Sequence, residues 1–272
     1  MKKWVLSALA LLLMLQNQWV VAAPKSDLWD VWLAHDKNSS AIIDHSLWDA
    51  FLNSYLVSSD GVNLVNYRAV TKSDKASLDK YLSNLQQTPI STFSRSEQFA
   101  YWVNLYNAAT VQLILDKYPV DSIKDISFGW FSFGPWDEKL LNVESRAISL
   151  NDIEHRILRP IWKDNRIHYA VNCASYSCPN LAAQAYTALN FQQLLDQGAK
   201  DYVNHPRGVS LKGDELELSE IYNWYQVDFG DSDRGVLDHL MKYANPELKK
   251  AMSGKQNFEI DYDYDWRLNQ SP

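Results

Sequence analysis

SRSEQFAYWVNLYNAATVQLILDKYP, residues 94–119, is the stretch that decides the architecture. Ser94 followed by Glu97 is a capping-box pattern, and Pro119 supplies a stop, so the spacing predicts one long helix from Ser94 to Tyr118. Phe99, Trp102, Val103, Tyr106, Val111, Ile114 and Leu115 spread over most of its circumference. A helix apolar on most sides is central and must be wrapped by other elements. Asn104 and Asn107 lie inside it. Asn is a poor helix-interior residue, so both side chains need hydrogen-bond partners. Either they brace the helix against a loop, with the 129–135 segment as the candidate, or one of them orients a catalytic group.

Outward from this helix, helical spacing recurs at 27–37, 45–56 and 74–86, with Ser46 as the expected cap of the second. Ser58-Ser59-Asp60-Gly61 is a turn cluster. On the C-terminal side, Lys139–Val143 and Ala147–Leu150 read as a strand pair. Ser149 and Asp152 form a second capping pattern, opening a helix through Arg159 that Pro160 closes. Ile167–Val171 reads as a short strand, and Cys173–Leu181 as a turn-rich loop. A helix at Phe191–Val203 and a hairpin around Lys212-Gly213-Asp214 follow. Helices near 219–225, 234–244 and 246–253 and a strand near 258–262 complete the chain. No internal repeat or composition shift divides it. The expected fold class is α+β: one domain over 23–272, with a helical N-terminal subregion and a small, mostly antiparallel sheet.

The first 22 residues read as a signal peptide. Lys2 and Lys3 precede an apolar run from Trp4 to Leu15, and Val20 and Ala22 fit a small-residue cleavage site. The run is too short to span a bilayer core of about 30 Å. The expected location is therefore periplasmic or secreted, with no membrane anchor after cleavage near Ala22. Removing Lys2 and Lys3 takes the formal charge from −7 to −9. With no basic run, that balance excludes nucleic acid as a partner, because phosphate binding needs a basic face. Eleven Trp and 15 Tyr suggest a large aromatic core and an aromatic-lined groove. Two cysteines exclude a disulfide framework, and a chain of this size needs none.

Both cysteines fall in Asn172-Cys173-Ala174-Ser175-Tyr176-Ser177-Cys178-Pro179, and Glu154, His155 and His168 lie just upstream. Four readings compete. Cys173 is a nucleophile, with His155 or His168 as base, Glu154, Asn104 or Asn107 as orienting group, and Asn172, Ser175 and Ser177 in an oxyanion pocket. Alternatively Cys173 and Cys178 form a disulfide, favoured by an oxidising compartment. A zinc site of two His and two Cys is the third reading, though twelve residues between the histidines and four between the cysteines fall outside the usual spacing. In the fourth, these groups simply pack in the core. The acidic and aromatic run Asp261–Trp266 reads as a final strand with one solvated face rather than a Ca²⁺ loop.

With these motifs in hand, the chain resembles the family called domain of unknown function 547. The similar stretches are 99–108, 149–159, 166–173, 177–181 and 264–269, in the family's order, with a core over about 95–205. The resemblance implies that a cysteine matching Cys173 is kept while one matching Cys178 is often missing, which moves weight from a disulfide or zinc site to a single functional thiol. A distant likeness to papain-type and transglutaminase-type thiol folds would require a permuted arrangement, or His205 or His239 as base, since His155 precedes Cys173 here.

The leading expectation is a thiol-dependent hydrolase or acyl transferase on peptide or amide bonds, with Cys173, His155, Glu154, His168 and Asn104 as its catalytic candidates. No cofactor and no metal are expected, and the partner is a small peptide or amide substrate. The competing expectation is a non-catalytic periplasmic binding or scaffold module with structural cysteines and a protein partner.

Overall fold

The structure, a computed structural model, describes residues 24–129, 134–213, 215–253 and 258–272. The expected signal segment lies outside the described residues.

Helix α1 (Ser46–Tyr55) leads into the hairpin β1 (Leu56–Ser59) and β2 (Val62–Val65), which turns at Asp60-Gly61. Helix α2 (Lys72–Gln87) packs on α3 (Arg95–Lys117), the predicted central helix. Ser94 caps α3 by accepting from the Glu97 N–H, and every residue from Glu97 to Ile114 is buried. That all-round burial is why the helix carries no polar stripe. The short antiparallel pair β3 (Leu141–Val143) and β4 (Arg146–Ile148) follows.

The next segment departs from its predicted form. Ser149 and Asp152 do cap it reciprocally. Yet Asp152–Leu158 winds as a π-helix, and Pro160 does not close it: α4 (Arg159–Trp162) continues past that proline. Pro160 has no N–H, which leaves the His155 and Arg156 carbonyls, five and four residues back, short of one intrahelical donor. The Asp27 and Trp29 N–H groups take them, at 2.9 and 3.0 Å. Residues 24–29 are thereby an extended strap, and the predicted helix over 27–37 shrinks to one 3₁₀ turn, Asp30–Leu33. Arg95 and Gln98 capture the Trp32, Leu33 and Ala34 carbonyls that would have propagated it. The cap of α1 is His45 rather than Ser46.

The predicted strand at 167–171 is a 3₁₀ turn, Asn165–Tyr169, begun by the Asp164 side chain accepting from the Arg166 N–H. Ile167, His168 and Tyr169 are all buried, so the alternation did not report a solvated face. Helix α5 (Phe191–Val203) comes next, then β5 (Val209–Lys212), β6 (Glu215–Ser219), α6 (Glu220–Trp224), α7 (Asp233–Tyr243), α8 (Pro246–Ser253) and β7 (Glu259–Asp263). β5 pairs antiparallel with β6, and β7 joins β6 in parallel. The molecule is an α+β domain. One apolar cluster surrounds α3, and a second lies between α5, α7 and the three-stranded sheet. Tyr169 belongs to the second, Ala170 and Val171 to the first, so the chain crosses the seam between the two cores just before Cys173. Among the described residues no helix is long and apolar enough to cross a membrane.

Candidate functional site

The cysteine loop is pinned from three sides. From α3, Asn107 donates to the Ala170 carbonyl at 2.9 Å and accepts from the Asn172 N–H at 2.8 Å. Within the loop, Asn172 donates to the Pro179 carbonyl and accepts from the Ala174 N–H. From the C-terminal segment, the Asp265 and Arg267 carbonyls accept from the Ser177 and Tyr176 N–H groups, and the Asn269 N–H donates to the Ala174 carbonyl. Arg207 adds two hydrogen bonds to the Tyr176 and Cys178 carbonyls. Ala174, immediately after Cys173, is left-handed at φ +60°. A side-chain-bearing residue holds that conformation only where its surroundings over-determine it.

This framework gathers polar groups around one sulfur. The Cys178 Sγ lies 3.0 Å from the Cys173 Sγ, and the Ser175 Oγ and Tyr264 hydroxyl each lie 3.2 Å from it. Together with the Ser175 N–H, these groups hold the Cys173 thiol well below its ordinary value. The Cys178 thiol goes the other way, pushed up by burial and by the neighbouring sulfur. The two cysteines are unbonded; Cys173 is half-buried and Cys178 only 4 % exposed.

The predicted histidine bases are not among the hydrogen-bond partners of that sulfur. They form a second buried cluster with Glu154. His155 Nδ1 faces the Arg159 guanidinium at 3.0 Å, and its Nε2 lies 4.0 Å from Glu154. His168 Nε2 contacts Asp228 at 2.7 Å, and its Nδ1 lies 3.5 Å from Glu154. Arg159 also donates to Asp228 at 2.6 Å. Burial lowers His155 to about 4, against the pull of Glu154 and helped by Arg159. Burial alone would raise Glu154, but His155, His168 and Arg159 outweigh it and hold the carboxyl at about 2. Below pH 4 His155 gains a proton, and that charge keeps Glu154 ionised further down.

Tyr225 joins the two clusters. Its ring stacks on His168 with centroids 4.0 Å apart, and its phenol feels both the Glu154 carboxylate and Cys173. Tyr106, buried on α3, senses the same two groups.

Three predicted roles find other employment. Asn104 donates to and accepts from the Tyr186 backbone, at 2.8 and 3.0 Å, so it braces a loop, though not the 129–135 segment. The Asn172 amide is taken up by the Pro179 carbonyl, the Ala174 N–H and the Asn269 side chain, and the Ser177 Oγ accepts from the Asp265 N–H. Ser175 is the one predicted pocket residue that meets the sulfur. The two-His, two-Cys zinc set is not assembled, and among the described residues no group of three or more His, Cys, Asp or Glu is placed to hold a metal ion.

Residues 90–203 match the family model described as "Protein of unknown function, DUF547". Over this stretch the chain is similar to the DUF547 family. No curated protein and no solved structure matches it. The DUF547 stretch carries Glu154, His155, Arg159, His168 and both cysteines, but Tyr225, Asp228 and Tyr264 lie beyond it. Those three, with Arg159, are what sequence reading missed. Tyr264 had a signal in the aromatic and acidic run Asp261–Trp266, which reads as a strand edge until its pairing with the cysteine loop is known.

Proposed function

We propose that this protein is a thiol-dependent hydrolase or acyl transferase acting on peptide or amide bonds, with Cys173 as nucleophile. The observation that supports it is the convergence of the Ser175 and Tyr264 hydroxyls, each 3.2 Å away and able to donate, and of the Cys178 sulfur at 3.0 Å on the Cys173 sulfur. Donors aimed at a sulfur favour its thiolate, and the thiolate is the nucleophile. The activation then comes from hydrogen bonding rather than from an imidazolium partner. Thiolate attack on the carbonyl forms the carbon–sulfur bond. The leaving amine departs with a proton, which the Tyr264 and Ser175 hydroxyls, each 3.2 Å from the sulfur, are placed to supply. Water or an acceptor amine then cleaves the thioester and returns that proton. Glu154, His155, His168, Arg159 and Asp228 act as positioning residues, holding Tyr225 against the loop. The proposal includes export, because the Lys2-Lys3 start and the apolar run to Leu15 have the form of a signal peptide.

The test is mass analysis after incubation with an activated thioester. An acyl group on Cys173, lost in Cys173→Ser and cleared with time, is the expected result. Absence of any acyl adduct on folded protein contradicts it. The competing reading, a non-catalytic periplasmic module, is favoured by the loop-bracing hydrogen bonds of Asn104, Asn107 and Asn172. It predicts that Cys173 is no more reactive than Cys178.

A further inference from the structure

We infer that Cys173 and Cys178 are a redox-active dithiol pair that exchanges with disulfide-bearing substrates, Cys173 attacking and Cys178 resolving. This rests on the same reactive thiol as the proposed acyl chemistry but adds a second sulfur that hydrolysis does not need.

Four observations carry it. The two sulfurs lie 3.0 Å apart without a bond, so about 1 Å of approach would reach the disulfide length of about 2.05 Å. Their exposures differ in the sense exchange requires: Cys173 is half-buried and reachable, while Cys178 is buried beneath it. The left-handed turn at Ala174 and the turn closed by the Cys178 N–H on the Ser175 carbonyl bring Cys178 back under Cys173. Finally, the Cys173 N–H donates to the Cys178 sulfur at 2.9 Å. That donor has no use while Cys173 alone carries charge, and it stabilises Cys178 when Cys178 must ionise.

The chemistry balances in two steps. The Cys173 thiolate attacks one sulfur of a substrate disulfide, forming a mixed disulfide and releasing the first substrate thiolate. Cys178 gives its proton to that leaving thiolate. Its own thiolate then attacks the Cys173 sulfur, closes the Cys173–Cys178 bond and expels the second substrate thiolate, which takes a proton from water. The protein loses two electrons and the substrate disulfide gains them. A thiol reductant reverses both steps. Hydrogen bonds that stabilise the reduced thiolate make such a pair more oxidising than a structural disulfide, so a glutathione-type thiol should suffice.

Oxidised glutathione is the probe. The intact protein should release two equivalents of glutathione and gain an internal disulfide. Cys178→Ser should release one equivalent and stop as a glutathionyl adduct on Cys173. Cys173→Ser should lose the exchange. Cys178→Ala serves as a second variant should the serine disturb folding, which circular dichroism would report. The inference is overturned if the intact protein stays a dithiol or stops at the mixed disulfide, or if the adduct forms first on Cys178. An exchange failure with thioester acylation of Cys173 intact removes this inference alone. Loss of acylation with exchange intact removes the hydrolase reading instead.

Discussion

The Cys173 backbone N–H donates to the Cys178 sulfur at 2.9 Å, in a loop that is tied to α3, to Arg207 and to the 265–269 segment. The sulfur pair is therefore held by backbone geometry rather than by a covalent bond. Its position depends on residues remote in the chain, and disturbing them should act on thiol chemistry without touching either sulfur.

Asn107 is the most direct of these supports. Asn107→Ala leaves the buried Asn172 N–H and Ala170 carbonyl without partners. Unsatisfied buried groups of this kind cost about 1–3 kcal/mol each. Urea denaturation should show a loss in that range or above it, and Cys173 alkylation should slow in the folded fraction. A stability change within about 0.5 kcal/mol, the range of ordinary surface substitutions, would contradict the brace.

Arg159 ties together groups from three parts of the chain. Its guanidinium donates to Asp228 and to the Pro24 carbonyl and faces His155. Arg159→Met would leave the Asp228 and Glu154 carboxylates without their cation, and removing one partner of a buried ion pair costs about 3–5 kcal/mol. The expected result is a clear fall in thermal midpoint and faster hydrogen exchange of the Asp27 and Trp29 amides, whose acceptors lie on the same π-helix. An unchanged midpoint would refute this role.

Acid should weaken the fold in two stages. Burial lowers His45, His155 and His239 from an ordinary 6.5 to about 4. Between those values the unfolded chain binds protons that the folded chain refuses, so stability is fully present above pH 6.5 and falls as pH drops toward 4. Glu154 and Asp228 are held at about 2 in the folded protein. Their contribution is present above the ordinary carboxylate range and is lost as pH falls through about 2. Denaturation midpoints across pH 3–8 should decline steadily below about 6.5. A flat profile between pH 7 and 4 would show that these rings are not buried neutral.

Much of the fold was readable because its signals were local. The capping pattern at Ser94 and the stop at Pro119 bounded α3 almost to the residue, and α5 ran over the predicted Phe191–Val203. The errors came where a partner distant in sequence overrode a local rule. Pro160 did not end its helix because the Asp27 and Trp29 amides took the carbonyls it released. Ile167–Val171 mimicked a strand although all five residues are buried, so the alternation of larger and smaller side chains reported no solvated face. In the site, the clustering of Glu154, His155, His168 and Cys173 in sequence suggested one constellation. The structure sorts them into two, because Asp228 and Arg159 hold His168 and His155 while Tyr264 arrives from the C-terminus to meet the sulfur. No spacing rule within the DUF547 stretch carries that information.

The thiolate account is tested most directly by the pH dependence of Cys173 alkylation by iodoacetamide, followed residue by residue in the intact protein and in Tyr264→Phe. The account predicts an apparent pKa for Cys173 below the free-thiol value of about 8.5. It also predicts far slower reaction at Cys178 and a midpoint that moves upward when the Tyr264 hydroxyl is removed. A Cys173 midpoint at or above the free-thiol value, or one unmoved by Tyr264→Phe, would contradict it.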